Sequence, residues 1–326
     1  MPRIFLLSLT TGIALSALAP MAHAQDFPSK PLRILIPYPT GGTPDIVGRP
    51  IAAAMSRDLG QPVVVDNKAG GGGVPAIQDM KNAAADGHTL FLADSSQWGT
   101  LPAVQPNLPY DPVRDFAAVG TIYSNVMFFF VNANSSIRSM KDIVSQAKAK
   151  PGSLRYGISG VGGIMHMAGE AFASMAGVKV TVVPFRGTPE SIREVMNGDL
   201  DYAVSGGNPT FASMVKAGKL RAIATTGPQR DRYNMEIPSV NESAGISGYN
   251  LETGFGLVAR SGTPRPVIDR LARSLAVAQK DGAYLDALKR LEYNPLFMSP
   301  DEFTAKIRAD LEKYTAIARA GSIRIE

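Results

Sequence analysis

The chain has 326 residues, 45% hydrophobic and 19% charged, with 33 Lys and Arg against 28 Asp and Glu, a net charge of +5, and no cysteine. This composition describes a packed globular protein and excludes an intrinsically disordered one. Without cysteine there is neither a disulfide framework nor thiol chemistry. The mild basic excess, spread without blocks or a stripe of interleaved aromatics, is no nucleic-acid footprint.

Arg3 precedes an apolar run from Ile4 to about Leu18 and then Ala22-His23-Ala24, an A-x-A pattern. These predict a secretory signal peptide over residues 1–24, cut before Gln25. A signal anchor is the rival reading, but the run is short for a span and is interrupted by Thr10, Thr11 and Gly12. No later segment offers about 20 consecutive apolar residues, so the mature chain is expected to be soluble and not inserted in a membrane. Exported and free of cysteine, it must be held by its core alone.

From Pro31 the pattern alternates strand, loop and helix. Leu32–Ile36, Val63–Val65, Thr89–Leu92 and Ala117–Ile122 are predicted strands, and a helix is expected to begin near Asp45. The alternation points to a largely parallel α/β sheet. A second series follows at Met127–Val131, Leu154–Ile158, Val180–Val183, Tyr202–Val204 and Leu220–Ala224, and the helix Glu190–Asn197 is expected to stop at Gly198. Two strand series imply two lobes. Near the end, Thr263-Pro264 predicts a capped helix with Val267, Ile268, Leu271 and Leu275 on one face. Ser299-Pro300-Asp301-Glu302 reads as a capping box ahead of a Phe303, Ile307, Leu311, Tyr314 stripe. Those helices have no strand set of their own and are expected on the first lobe. Residues 25–124 and 254–326 then form one discontinuous domain and residues 125–253 the other, with paired crossings near Ser124 and Thr253 acting as a hinge.

The loop Pro37–Asp45 joins a buried strand to a helix start. Gly41 and Gly42 permit unusual backbone angles and are expected to expose successive amides, which together with the helix dipole suit a carboxylate. A tight Gly-Gly turn with Asp45 as helix cap explains the same spacing. Ser159-Gly160-Val161-Gly162-Gly163-Ile164-Met165-His166 repeats the arrangement in the second lobe, so the two loops form a pincer across a cleft. His166 is either a ligand contact or a satisfied first-turn histidine. Asn67–Gly73 lacks GxxxxGK[ST], and Pro75 breaks any GxGxxG, which leaves a flexible surface turn as its reading. Arg186, before the helix start at Gly187-Thr188-Pro189, either faces an anion or is a solvated side chain. Tyr38, Trp98, Phe185 and Phe255 are either cleft aromatics or core, and Trp98 is an expected fluorescence reporter of closure.

Catalysis finds no constellation. Val161 stands where the last glycine of a G-x-S-x-G elbow belongs, a Ser159–His166 pair lacks a third member, and His88 and His166 nominate no zinc site.

The order and spacing of several motifs resemble the substrate-binding proteins of the tripartite tricarboxylate transporter family, the Bug or TctC family. They are Ile36-Pro37-Tyr38-Pro39 with Gly41-Gly42 and Asp45, Gly60–Val65 with Asn67-Lys68, Asp86–Leu90, Leu108–Pro112 before Asp115-Phe116, the His166–Glu170 helix start, Gly198–Asp201 and Ala217–Arg221. The resemblance runs from about Pro28 to the C-terminal helix. It implies a monomeric periplasmic binding protein of the two-lobed Venus flytrap kind (type II), α/β in class with two domains and a hinge. Such a protein presents an organic carboxylate to membrane transporter subunits, with no cofactor, no metal and no catalysis.

Matching ligand-binding positions are Tyr38, Thr40, Gly41, Gly42 and Asp45 in one lobe, and Ser159, Gly160, Val161, Gly162 and His166 in the other, gripping a carboxylate partly through ordered waters. Ser95, Arg186, Gly187 and Asn208 match as further contacts. Three departures from the family pattern stand out: Gly163 for a frequent serine, Thr43-Pro44 before Asp45, and Gly48 with Pro50, which predict a kinked or late-starting helix. A ligand-sensing role beside a two-component system and a serine-type hydrolase are the alternative functions.

Overall fold

The structure, a computed structural model, describes residues 27–185, 187–207 and 209–325. The signal-peptide expectation and the Arg186 and Asn208 assignments lie outside the described residues.

The first part of the chain contains β1 (Leu32–Ile36), α1 (Thr43–Leu59), β2 (Val63–Asn67), α2 (Val74–Asn82), β3 (Thr89–Asp94), α3 (Leu101–Val104), α4 (Pro112–Asp115) and β4 (Phe116–Asn125). The middle contains β5 (Met127–Asn132), α5 (Met140–Ala149), β6 (Arg155–Ser159), α6 (Ile164–Ala176), β7 (Thr181–Phe185), α7 (Thr188–Asn197), β8 (Tyr202–Gly206), α8 (Pro209–Lys216), β9 (Leu220–Thr225) and α9 (Val240–Ala244). The last part contains β10 (Thr253–Arg260), α10 (Arg265–Ala278), α11 (Gly282–Leu291), β11 (Asn294–Pro295) and α12 (Pro300–Ala320).

Among the described residues the strands form two sheets, ordered β11-β4-β10-β3-β1-β2 and β7-β6-β8-β5-β9. The sheets share one plan. In the first, β1 is parallel to both β2 and β3 while β10 is antiparallel to β3 and β4. In the second, β6 is parallel to both β7 and β8 while β5 is antiparallel to β8 and β9. The chain passes to the second sheet between Asn125 and Met127 and returns by Thr253.

Period-2 alternation assigns each strand's side chains to two cores. Leu32, Ile34 and Ile36 of β1 join α1, α10 and α11 on one face, and Leu35 joins α2, Trp98 and the start of α12 on the other. In β5, Phe129 packs with α5 and α6 residues, and Phe128 and Phe130 pack with α7 and Phe211. Burial on both faces is why these strands read as continuous apolar runs.

All nine expected strands are present. Two strands were missed: the two-residue β11, and β10, whose alternating glycines hid its pattern. A Cβ at Gly256 would stand 2.5 Å from the Phe303 ring, so the strand lacks side chains where helix α12 presses on it.

Three local expectations are corrected. α1 runs uninterrupted from Thr43, neither late nor broken at Pro50. Pro50 is half-buried, but the carbonyl it frees belongs to the exposed Ile46, where water can satisfy it, and Gly48 lets the helix approach Ile36, whose Cδ1 would be 2.8 Å from a Cβ there. α10 begins at Arg265 with Pro264 as its N-cap, because the Thr263 hydroxyl turns back to donate to the Arg260 carbonyl (2.7 Å).

The buried stripe of α12 is Phe303, Ile307, Asp310, Tyr314 and Ala318, with Asp310 in place of Leu311. Trp98 donates its indole N–H to Asp310 (3.0 Å), and Lys306 (2.8 Å) and Lys313 (2.9 Å) neutralise the carboxylate. Fully buried there, Trp98 is core and not a cleft aromatic.

α12 also reaches beyond the first sheet. Phe303 and Ile307 belong to the core beside Trp98, whereas Tyr314, Ala318 and Ile323 join the core of α6. The tight point is Gly99, where a Cβ would lie 2.4 Å from the Tyr314 ring. Gly99→Ala is expected to destabilise the protein by about 1–3 kcal/mol through overpacking, read as a lower denaturation midpoint; an unchanged midpoint would refute this packing.

Candidate functional site

In an open α/β sheet the crevice lies beyond the carboxyl ends of the strands, where successive crossovers go to opposite faces. Both sheets contain such a point. α1 and α2 flank β1 from opposite sides, and α6 and α7 flank β6 from opposite sides. The loops leaving β1 and β6 are residues 37–42 and 160–163, inside the two stretches singled out from sequence.

The first loop is braced by its own neighbours. Gly41, at φ +80, donates its amide to Asp45 Oδ2 (2.9 Å), and Gly42, the N-cap of α1, donates to the Pro39 carbonyl (3.0 Å). The expectation that both amides face a ligand is therefore corrected: turn closure and Asp45 occupy them. Burial works against the charged Asp45, but hydrogen bonds from Arg49 and the Gly41 amide hold its carboxyl below the usual range. Asn67 donates to the Tyr38 carbonyl (3.0 Å) and accepts from the Thr40 hydroxyl (3.1 Å) and from Arg49 (3.1 Å). The Thr43 amide has no acceptor among the described residues.

Behind this loop lies a carboxylate that the sequence reading overlooked. Asp94 ends β3 fully buried, accepts the Tyr38 hydroxyl and the Ser96 amide (2.6 Å), and gives its own amide to Gln97 (2.8 Å). Burial pushes its carboxyl up, and burial beside Asp94 pushes the Tyr38 phenol above its ordinary value. The usable signal was an acid closing the apolar run Leu90–Ala93 at a strand's carboxyl end.

Ser95 is buried and accepts the Gly254 amide (2.9 Å), so it ties the returning crossing to the end of β3. Gly70–Gly72 lie at the surface as expected, and Gly73 is buried. Gly71–Gly73 form a 3₁₀ turn in which a Cβ at Gly73 would meet Pro37 at 3.1 Å and Gln97 at 3.3 Å, so Gly73 packs beside the start of the first loop.

The second loop is left more open. Ser159 ends β6, Gly160 and Gly162 adopt φ of +81 and +76, and Gly163 is the N-cap of α6 without a side-chain cap. The Gly160 amide donates to the Phe185 carbonyl (3.3 Å), and Gly162 donates to His166 Nδ1 (3.1 Å). Val161 projects into solvent, 46% exposed. The amides of Gly163, Ile164, Met165 and His166 have no acceptor among the described residues. Four donors at one helix start, reinforced by the helix dipole, make an anion cradle. Gly187 is the N-cap of α7, and the Thr188 hydroxyl reaches Met165 Sδ (3.8 Å), placing the two helix starts side by side.

His166 is buried, which lowers its pKa and favours the neutral ring. Accepting at Nδ1 puts the proton on Nε2, 3.9 Å from Glu170 Oε1, which in turn accepts the Tyr156 hydroxyl (2.6 Å). His166 thus shapes the glycine loop from below. Its lone pair is engaged by Gly162, so it is no general base for Ser159.

Two α/β sheets crossed twice by the chain, with a glycine-bearing loop at each switch point, define the two-lobed fold of the periplasmic binding proteins. Residues 47–322 match the tripartite tricarboxylate transporter family receptor, TctC, and the chain belongs to that family. A Cupriavidus necator protein encoded in the gbd 5′ region is 32% identical over 308 residues, 94% of this chain and 92% of the relative. A solved structure described as a periplasmic transporter is 32% identical, spans 92% of this chain and 100% of its own, and superposes with a TM-score of 0.73. An R. palustris protein solved with adipate is 27% identical, spans 92% of this chain and 99% of its own, and gives a TM-score of 0.74. Family and fold are those of solute-binding proteins, not of enzymes.

The buried neutral histidine makes stability pH-dependent. Its folded pKa lies below the unfolded value of about 6.5, so the unfolded chain binds more protons and stability falls as pH drops below about 6.5. His166→Asn, which keeps an acceptor for Gly162 but cannot titrate, is expected to lose less stability over that window. Parallel melting-temperature curves for the two proteins would refute the assignment.

Proposed function

We propose that this chain is a periplasmic solute-binding protein that captures a small organic carboxylate and delivers it to the membrane subunits of a tripartite tricarboxylate-type transporter. In this reading residues 25–124 and 254–326 form one jaw, residues 125–253 form the other, and the protein acts as a monomer. The observation that carries it is the run of open amides at Gly163, Ile164, Met165 and His166. Amides suit the task because they hold a carboxylate without burying a counter-charge, whose desolvation would offset much of the attraction. From the opposite jaw the braced Tyr38–Asp45 loop supplies shape, the Thr43 amide and positions for bridging water. The adipate bound by the R. palustris relative makes an aliphatic acid a reasonable first ligand to test.

Titration calorimetry and thermal shift against mono-, di- and aromatic carboxylates are expected to find at least one ligand that stabilises the protein. A hundredfold excess over the dissociation constant adds about 2.7 kcal/mol; no response across the panel would sink the proposal. Ile164→Pro isolates the cradle. Proline fits this first helical position, and Gly163 before it is extended (φ −73, ψ 171). The variant removes one open donor, so carboxylate affinity should fall about tenfold or more, as for a lost hydrogen bond to a charged group. Unchanged affinity would remove α6 from the site.

A further inference from the structure

The first loop is fastened to a buried negative charge. Asp94 ends β3, and its side chain accepts the Tyr38 hydroxyl from the loop after β1 and the Ser96 amide (2.6 Å), while Gln97 holds its own amide (2.8 Å). Gln97 reaches on to the Gly72 carbonyl in the turn after β2 (3.3 Å), and its carbonyl accepts the Tyr110 hydroxyl (2.8 Å). One carboxylate thus knots the three loops that leave β1, β2 and β3, and Tyr38 carries the knot into the Tyr38–Asp45 loop.

Among the described residues no cation hydrogen-bonds or ion-pairs with Asp94. The titratable groups around it are phenols: Tyr38 from the loop, Tyr110 from the segment before α4, Tyr123 from β4 and Tyr314 from α12. Burial raises each of them, and the Asp94 charge adds to that rise. β10 sets Phe255 opposite Asp94 and brings no charge there. α12 also carries Asp310 with Lys306 (2.8 Å) and Lys313 (2.9 Å), which pair with it and not with Asp94. A second anion held by the same loop would therefore meet an unneutralised carboxylate in a low-dielectric setting, where like charges repel strongly.

We propose that capture of a carboxylate is coupled to uptake of one proton by Asp94, and that this proton turns Tyr38 from an inward-facing donor into a donor to the ligand. The proton comes from solvent and binds Oδ2, the atom that accepts from Tyr38 in the free protein. Oδ2–H then donates to the phenol oxygen, while Oδ1 keeps the Ser96 amide. The half-buried Tyr38 has lost its inward acceptor, and its O–H turns to the bound carboxylate or to a bridging water. Burial already favours the protonated acid, so the ligand has only to complete the shift. The inference rests on the carboxylate-binding reading above and adds the residue that offsets the ligand's charge.

The test is titration calorimetry on the purified chain with adipate and the other acids of the panel above, in phosphate and in Tris at matched pH between about 5.5 and 8.5, a window that spans ordinary histidine titration and lies above that of simple carboxylates. The difference in heat between the two buffers counts the protons taken up. Asp94→Asn is measured alongside, because its amide nitrogen donates to Tyr38 and its oxygen accepts Ser96 as in the protonated acid, yet it cannot titrate. The wild type is expected to take up more protons per bound acid than Asp94→Asn, and to gain affinity as pH falls by up to about tenfold per unit. Asp94→Asn should hold the wild type's low-pH affinity across the window. Tyr38→Phe keeps the ring, leaves Asp94 in place and should weaken binding about tenfold.

Equal proton uptake and equal pH slopes in the wild type and Asp94→Asn overturn the inference, as does unchanged affinity in Tyr38→Phe, while carboxylate binding stands. Uniformly weaker binding by Asp94→Asn with the wild-type slope retained shows that Asp94 only braces the loop, which also overturns it. Binding of no acid by the wild type brings down the carboxylate reading and this inference together.

Discussion

Two strands, β1 and β6, each run parallel to the neighbours on both sides. Parallel neighbours cannot be joined by a hairpin, and the crossover helices that join them are right-handed. Moving outward in opposite directions from one strand therefore sends the two helices to opposite faces of the sheet. The loop leaving the central strand is left uncovered at its carboxyl end, with a helix start pointing at it. Both candidate jaws follow from that one constraint, applied once in each sheet.

The two jaws use the constraint differently. In the first, Asp45 and Pro39 accept the amides of Gly41 and Gly42, which leaves Thr43 as the one open amide of that helix start among the described residues. In the second, His166 accepts the Gly162 amide, and the next four amides have no acceptor among the described residues. One loop is braced by its own neighbours and the other holds unmet donors among the described residues. Unmet donors at a helix start have a fixed orientation before any ligand arrives, which limits the ordering entropy that binding must overcome. The neutral ring of His166 leaves the electrostatics of the cradle to the amides and the helix dipole.

Without disulfides the jaws are held by packing. α12 joins the two parts, since its first half lies in the core beside Trp98 and its second half in the core of α6. The buried Asp310 within that helix is tolerated because Trp98, Lys306 and Lys313 all engage it. The tail that follows carries this contact to Gly162, so the end of the chain bears directly on the loop at the start of α6.

The sequence by itself determined the alternation of strands and helices, the division into two strand series and the two glycine loops. Each of these is written in local periodicity and turn chemistry, and Phe128–Val131 and Ser299–Glu302 are examples that need no distant partner. The motif order in residues 36–221 likewise sufficed to point to the family. Tertiary structure decided which amides are open: Gly42 and Gly163 are both extended helix N-caps, yet the Gly42 amide reaches the Pro39 carbonyl and the Gly163 amide has no acceptor among the described residues. It decided that Asp310, not Leu311, faces inward, that Gly73 packs against Pro37 and Gln97, and that Asp94 lies beneath Tyr38. It also brought Ile325 against Gly162, a contact between residues 163 positions apart. Pairings at that separation are set by how the two sheets and α12 share their cores, and no local pattern encodes them.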